Sequence, residues 1–316
     1  MDYFPKIGIF KFIMLFVLSM VMSVLFAVPY TIQLEMNGVT ANSSAILIFL
    51  SSLGLYLGIL VFIWWLSLTK TDRARIWEPA PARSPGHIGF ILAPFLLSLP
   101  VNIIYVLFLE RFMPDFLEKM MEAGNLPENI LGSMEPLSLF LLFLSVVVMA
   151  PIVEEIDFRG VLYNLLGKRM PLIAAAIISS IVFGLMHGAT FLQTAVIGFV
   201  LAFIYQVTGN LKIAILGHAA NNGIALGQGI LLAKGIIREG ELSETIFGSV
   251  ILLFAIIMLV AMVRYLRKKS LGSVFKDSAP MFKKEIFEQH KLEQMRLEEM
   301  RLNEEQKLLR DNEFSS

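Results

Sequence analysis

Pro151-Ile152-Val153-Glu154-Glu155-Ile156-Asp157-Phe158-Arg159-Gly160 closes an apolar run that begins at Leu137, and no Asp, Glu, Lys or Arg follows between Pro171 and Leu211. A charged side chain near a bilayer centre costs about 2.5–3.5 kcal/mol on insertion scales. The ionisable groups Glu154, Glu155, Asp157 and Arg159 therefore mark either the end of a span or a site inside the membrane.

The surrounding chain is apolar enough for either reading. Of its 316 residues 56% are hydrophobic and only 16% charged, with a mean hydropathy of +0.72. Soluble domains carry about 25% charged residues, so the expected fold class is all-α, a polytopic transmembrane helical bundle. The absence of cysteine excludes disulfides, thiolate metal sites and cysteine nucleophiles. Lys6 and Lys11 before the apolar run Phe12–Val28 imitate a signal peptide, but no small-x-small cleavage site follows. An uncleaved first helix is the expectation.

A bilayer needs about 20 helical residues per span. Apolar runs of about that length fall at 12–30, 44–68, 88–109, 137–155, 171–188, 190–207, 211–230 and 246–266, so about eight spans are expected. Pro94 and Pro100 predict a kink in the third. Gly54 and Gly58 in the second, and Gly223 and Gly227 in the seventh, have the spacing that lets helices approach closely. Lys70, Arg73, Arg75 and Arg83, then Lys168 and Arg169, then Arg264, Arg267, Lys268 and Lys269 follow even-numbered spans. This asymmetry places both termini in the cytoplasm, in an integral and plasma-membrane protein. Lys234 and Arg238, on the outer side, fit this least well.

The chain divides into N-terminal helices and loops (1–136), a core (137–230), a last transmembrane helix (231–270) and a charged cytoplasmic tail (271–316). In the tail, 282–311 alternates charges of both signs with Phe282, Ile286, Met295, Leu302 and Leu309, and Glu288 and Lys291 can pair. A solvated helix or a segment for a protein partner accounts for it. No nucleic-acid partner is expected.

Two of the four histidines lie inside apolar runs, His187 after Phe183-Gly-Leu-Met and His218 before Ala-Ala-Asn-Asn222. A lone intramembrane histidine most simply hydrogen-bonds a neighbouring helix. Beside a pair of glutamates, the two supply what is needed to activate a water and stabilise an oxyanion, or to make a small N/O metal site. Glu155 and Arg159, four apart, share a helix face and can pair. Glu154 points about 100° away, free to face a cavity as a general base. Phe183 can pack on His187, and His218 and Asn222 share a face. Asn221 points elsewhere, toward packing or capping.

Glu154-Glu155-x-x-x-Arg159, Phe183-x-x-x-His187 and His218-x-x-x-Asn222 resemble the three motifs of the CPBP family, the type II CAAX prenyl endopeptidases and their Abi-like and bacteriocin-immunity relatives. The resemblance covers about 137–227. It implies an eight-helix intramembrane endopeptidase in which Glu154 and His187 activate the attacking water while His218 and Asn222 form the oxyanion hole. Glu155, Arg159 and Phe183 would support them. The substrate would be a peptide or protein segment at the lipid bilayer. The family has been described both as metalloproteases and as metal-independent; if zinc were bound, Glu154, His187 and His218 would hold it. Asp157 departs from the pattern, which usually has an apolar residue there. It either adds a second carboxylate near the cavity, tuning the site, or sits at the aqueous mouth.

Two other functions compete: a non-catalytic membrane regulator or immunity protein of the same fold acting through partners, and a proton or ion relay through Glu154 and His187. Depth constrains all three. At 1.5 Å per residue Glu154 stands about 21 Å and His187 about 28 Å above Lys168, but His218 only about 9 Å above Lys212. Convergence requires strong tilt, or a 208–212 turn buried in the membrane, which Gly209 and Asn210 permit.

Overall fold

In lipid every backbone N–H and C=O must be satisfied within the protein, and the apolar runs do this as helices. The computed structural model describes residues 7–38, 41–77, 91–124 and 131–236, with single positions or short groups between 253 and 302. Among the described residues the order is α1 (Ile9–Asn37), α2 (Ala41–Gly58, continued by a π-helical turn Ile59–Trp65), α3 (Lys70–Trp77), α4 (Ala93–Phe112) and α5 (Pro114–Gly124). It continues with α6 (Pro136–Gly167), α7 (Leu172–Leu185), α8 (Phe191–Thr208) and α9 (Leu211–Ala233). No strand occurs among these residues.

Four helical stretches, Ile9–Met36, Asn42–Trp65, Pro136–Gly167 and Phe191–Thr208, are long and apolar enough to cross a membrane. The count of eight is not reached among the described residues: α4 and α9 are not among these four, α7 is shorter, and the run 246–266 is described only at single positions. The tail 282–311 lies largely outside the described residues, with exposed helical positions at Leu292, Met295 and 298–302. Pro94 stands in the first turn of α4, where its missing N–H has no helical partner to lose, so it does not kink the helix.

Small residues bring α1 and α2 together. A Cβ on Gly54 would lie 2.6 Å from Met22 O, and one on Gly58 2.8 Å from Ser19 Cα. Ser23 adds a hydrogen bond to Ser51 O at 2.8 Å. The second glycine pair behaves differently: Gly223 has Val147 at ordinary contact distance, and Gly227 faces open space.

α6 carries the motif that opened the sequence. It is α-helical at Ala150–Glu155 and π-helical on either side, at Leu144–Met149 and Ile156–Tyr163. Such wide turns are rare and leave carbonyls displaced from the ordinary ladder. Asn164, fully buried, donates through Nδ2 to Arg159 O and Gly160 O, both at 2.8 Å.

The depth of His218 depends on the turn between α8 and α9. Gly209 adopts φ +61°, and Asn210 caps α9 by accepting from the Lys212 N–H. Thr208 and Leu211 beside it are buried. α3 contributes to the cover: Ile76 is buried and touches the position of Gly160, and the Lys212 ammonium lies 5.4 Å from the Trp77 ring centre.

Candidate active site

Glu154 and Glu155 lie on the α-helical turn between the two π-helical segments, and helix geometry divides their tasks. Glu155 is fully buried. Its Oε1 accepts from Arg159 Nη1 at 2.8 Å and from His218 Nδ1 at 2.9 Å. Arg159 also donates through Nη2 to Gly198 O at 2.9 Å, and its guanidinium lies 4.5 Å from the Phe183 ring centre. This satisfies a buried arginine with a carboxylate, a carbonyl and a ring face, as burial of a charge demands. Gly198 makes the approach possible, because a Cβ there would stand 3.1 Å from both Arg159 Nη2 and Phe183 Cδ1.

Glu154 faces away, into the space between the histidines. Its Oε2 lies 3.9 Å from His187 Nε2 and 3.9 Å from His218 Nε2, and no group among the described residues hydrogen-bonds it. Its Oε1 accepts from the Tyr56 hydroxyl at 3.2 Å. Side-chain exposure grades from 4% at His218 through 15% at Glu154 to 33% at His187, so the site opens on the His187 side.

Both rings are oriented through Nδ1. His187, just beyond the end of α7, has Nδ1 2.7 Å from Phe183 O; a carbonyl only accepts, so Nδ1 carries the proton. In neutral His187 the Nε2 lone pair therefore faces Glu154. Phe183 is the common wall, its centre 4.6 Å from the His187 ring, 5.7 Å from the His218 ring and 5.0 Å from Phe158.

The segment that holds these groups, residues 136–224, matches the family model described as type II CAAX prenyl endopeptidase Rce1-like. The resemblance to the CPBP family is thereby shown. The Bacillus subtilis (strain 168) protein named "Putative membrane peptidase YdiL" is 30% identical over 140 residues, 42% of this chain and 51% of that protein. The chain thus spans about half the length of this curated relative. No solved structure matches it. The apolar helices and the membrane-protease family together mark an integral membrane protein.

Within the Rce1-like segment two residues have partners or surroundings that the spacing does not show. Asn222 shares the His218 helix, but its Nδ2 donates to Val146 O at 2.8 Å and its Oδ1 accepts from Asn221 at 3.0 Å; only its second N–H can face the site. Asp157 is fully buried and not at an aqueous mouth. It stands at the wall of a cavity of about 370 Å³ among Phe12, Phe16, Phe158, Leu162 and Val182, and neither carboxyl oxygen has a hydrogen-bond partner among the described residues. The wider π-helical turn that begins at Ile156 means the 3.6-residue period does not hold from Glu154 to Asp157.

Zinc can be tested against the donors. Among the described residues no group of three His, Cys, Asp or Glu is placed to hold a metal ion. Tetrahedral zinc with bonds of about 2.0–2.1 Å sets its ligands about 3.4 Å apart, closer than the 3.9 Å found here. Glu154, His187 and His218 as placed do not fit the ion, and no step is drawn through it.

Tyr56, Gly198 and Asn164 support the site and were not legible as functional. The first lies 98 positions from its partner, and the other two read as ordinary membrane-helix residues.

Proposed function

We propose that the chain is an intramembrane endopeptidase acting on a peptide or membrane-associated protein segment, with Glu154 and His187 activating water. The observation that carries this reading is the pair of 3.9 Å separations between Glu154 Oε2 and the two imidazole Nε2 atoms. A water bridging Glu154 and His187 would lie about 2.8 Å from each, an ordinary hydrogen-bond distance. It would donate one proton to each partner, leaving an oxygen lone pair free for the substrate carbonyl. As its oxygen bonds to the carbonyl carbon, Glu154 takes one proton, and the carbonyl oxygen becomes the oxyanion. Glu154 then delivers that proton to the amide nitrogen as the C–N bond breaks.

His218 Nε2–H and the second Asn222 N–H would stabilise the oxyanion. With Nδ1 held by Glu155, His218 would donate from Nε2 as the imidazolium. The reading includes eight spans, a plasma-membrane location, both termini in the cytoplasm and a tail available to a protein partner. It uses no metal. The test is cleavage of a peptide library by the purified protein in lipid nanodiscs: cleavage by wild type and none by Glu154→Ala supports it, whereas equal cleavage by both rejects it.

A further inference from the structure

We infer that Tyr56 of α2 is a positioning residue for Glu154, so that the site includes a helix outside the Rce1-like segment. The inference rests on the peptidase reading. Residues 136–224 supply Glu154, Glu155, His187, His218 and Asn222, yet none of these is seen to hold the Glu154 carboxylate in one orientation. Tyr56 does so, its hydroxyl 3.2 Å from Oε1. A carboxylate has two equivalent oxygens and a soft terminal torsion. Fixing Oε1 turns Oε2 toward the two Nε2 atoms, where a water would be activated.

The packing of α2 keeps Tyr56 on this task. Gly54 and Gly58 lie two positions before and after it, about 200° around the helix. They face α1, where Met22, Ser19 and Ser23 leave no room for a Cβ, so Tyr56 projects from the opposite face toward α6. The ring is buried within the same apolar cluster as Val153 and Ile156. A rigid donor on a rigid helix, in a buried setting, is what orients a reactive group.

Tyr56→Phe removes the hydroxyl and retains the ring, and the measurements use the full-length protein in nanodiscs. The expected result is a fall in kcat of about 10- to 100-fold, the range known for partners that orient metal ligands, with KM unchanged. A kcat within about twofold of wild type, or a loss confined to KM, overturns the inference. Infrared difference spectra give a second reading that needs no substrate. The carboxylate band that disappears in Glu154→Gln should shift in Tyr56→Phe, and an unshifted band also overturns the inference. Failure of the peptidase reading shows separately, as cleavage that Glu154→Ala does not change, while the infrared result still decides whether Tyr56 holds Glu154.

Discussion

Glu155 and His218, 63 positions apart, meet at 2.9 Å between Oε1 and Nδ1. The same oxygen accepts from Arg159, so one buried carboxylate serves both a structural cation and a ring of the candidate site. The two adjacent glutamates should therefore respond differently to mutation. Glu155→Ala leaves a buried arginine without its carboxylate and should destabilise the protein by about 3–5 kcal/mol. Glu154→Ala, which removes one oxygen without a partner and one hydrogen bond from Tyr56, should cost clearly less. Denaturant unfolding in mild detergent measures both; the reverse order would contradict the division of tasks.

Gly198→Ala should cost about 1–3 kcal/mol, the usual penalty of overpacking. Its new methyl would press on Arg159, Phe183 and Ser180 at 3.1–3.2 Å. Because the Phe183 ring touches both histidines, the rate of cleavage should fall as well. Unfolding and turnover measured on the same preparation check the pair of effects.

Asp157→Leu should stabilise the protein. The substitution removes two buried oxygens without partners from an apolar wall, and each unsatisfied buried group costs about 1–3 kcal/mol. A lower Tm in the variant would mean that the carboxyl has a favourable partner. The pH–activity profile of the same variant decides whether Asp157 tunes the site: an unchanged profile removes that role.

Chelation separates the water mechanism from a zinc mechanism. Since the donors as placed do not fit the ion, cleavage by purified protein should survive a strong chelator at full rate. Loss of activity on chelation, restored by zinc, would contradict the mechanism drawn here.

Much of the site was legible because it is local. Glu154 and Glu155 are adjacent on a helix, so their divergence follows from 100° per residue, and the Glu155–Arg159 pair from i,i+4 spacing. In the 208–212 turn Thr208, Gly209 and Leu211 are buried within the protein, whereas Lys212 is exposed. Two surroundings were not legible: Asp157 is buried and not at an aqueous mouth, on a π-helical turn that no residue pattern announced, and Asn222 binds Val146 O, within another π-helical segment. Tyr56 was illegible because a tyrosine in an apolar run looks like packing until a partner 98 positions away is known.

The central claim is that Glu154 and His187 make this protein a peptidase. The direct measurement compares the membrane peptidome of cells carrying wild type, Glu154→Ala or His187→Ala at equal expression. The account predicts peptides that are present with wild type and absent with both variants. Identical peptidomes in all three would contradict it and leave a membrane protein that acts through partners alone.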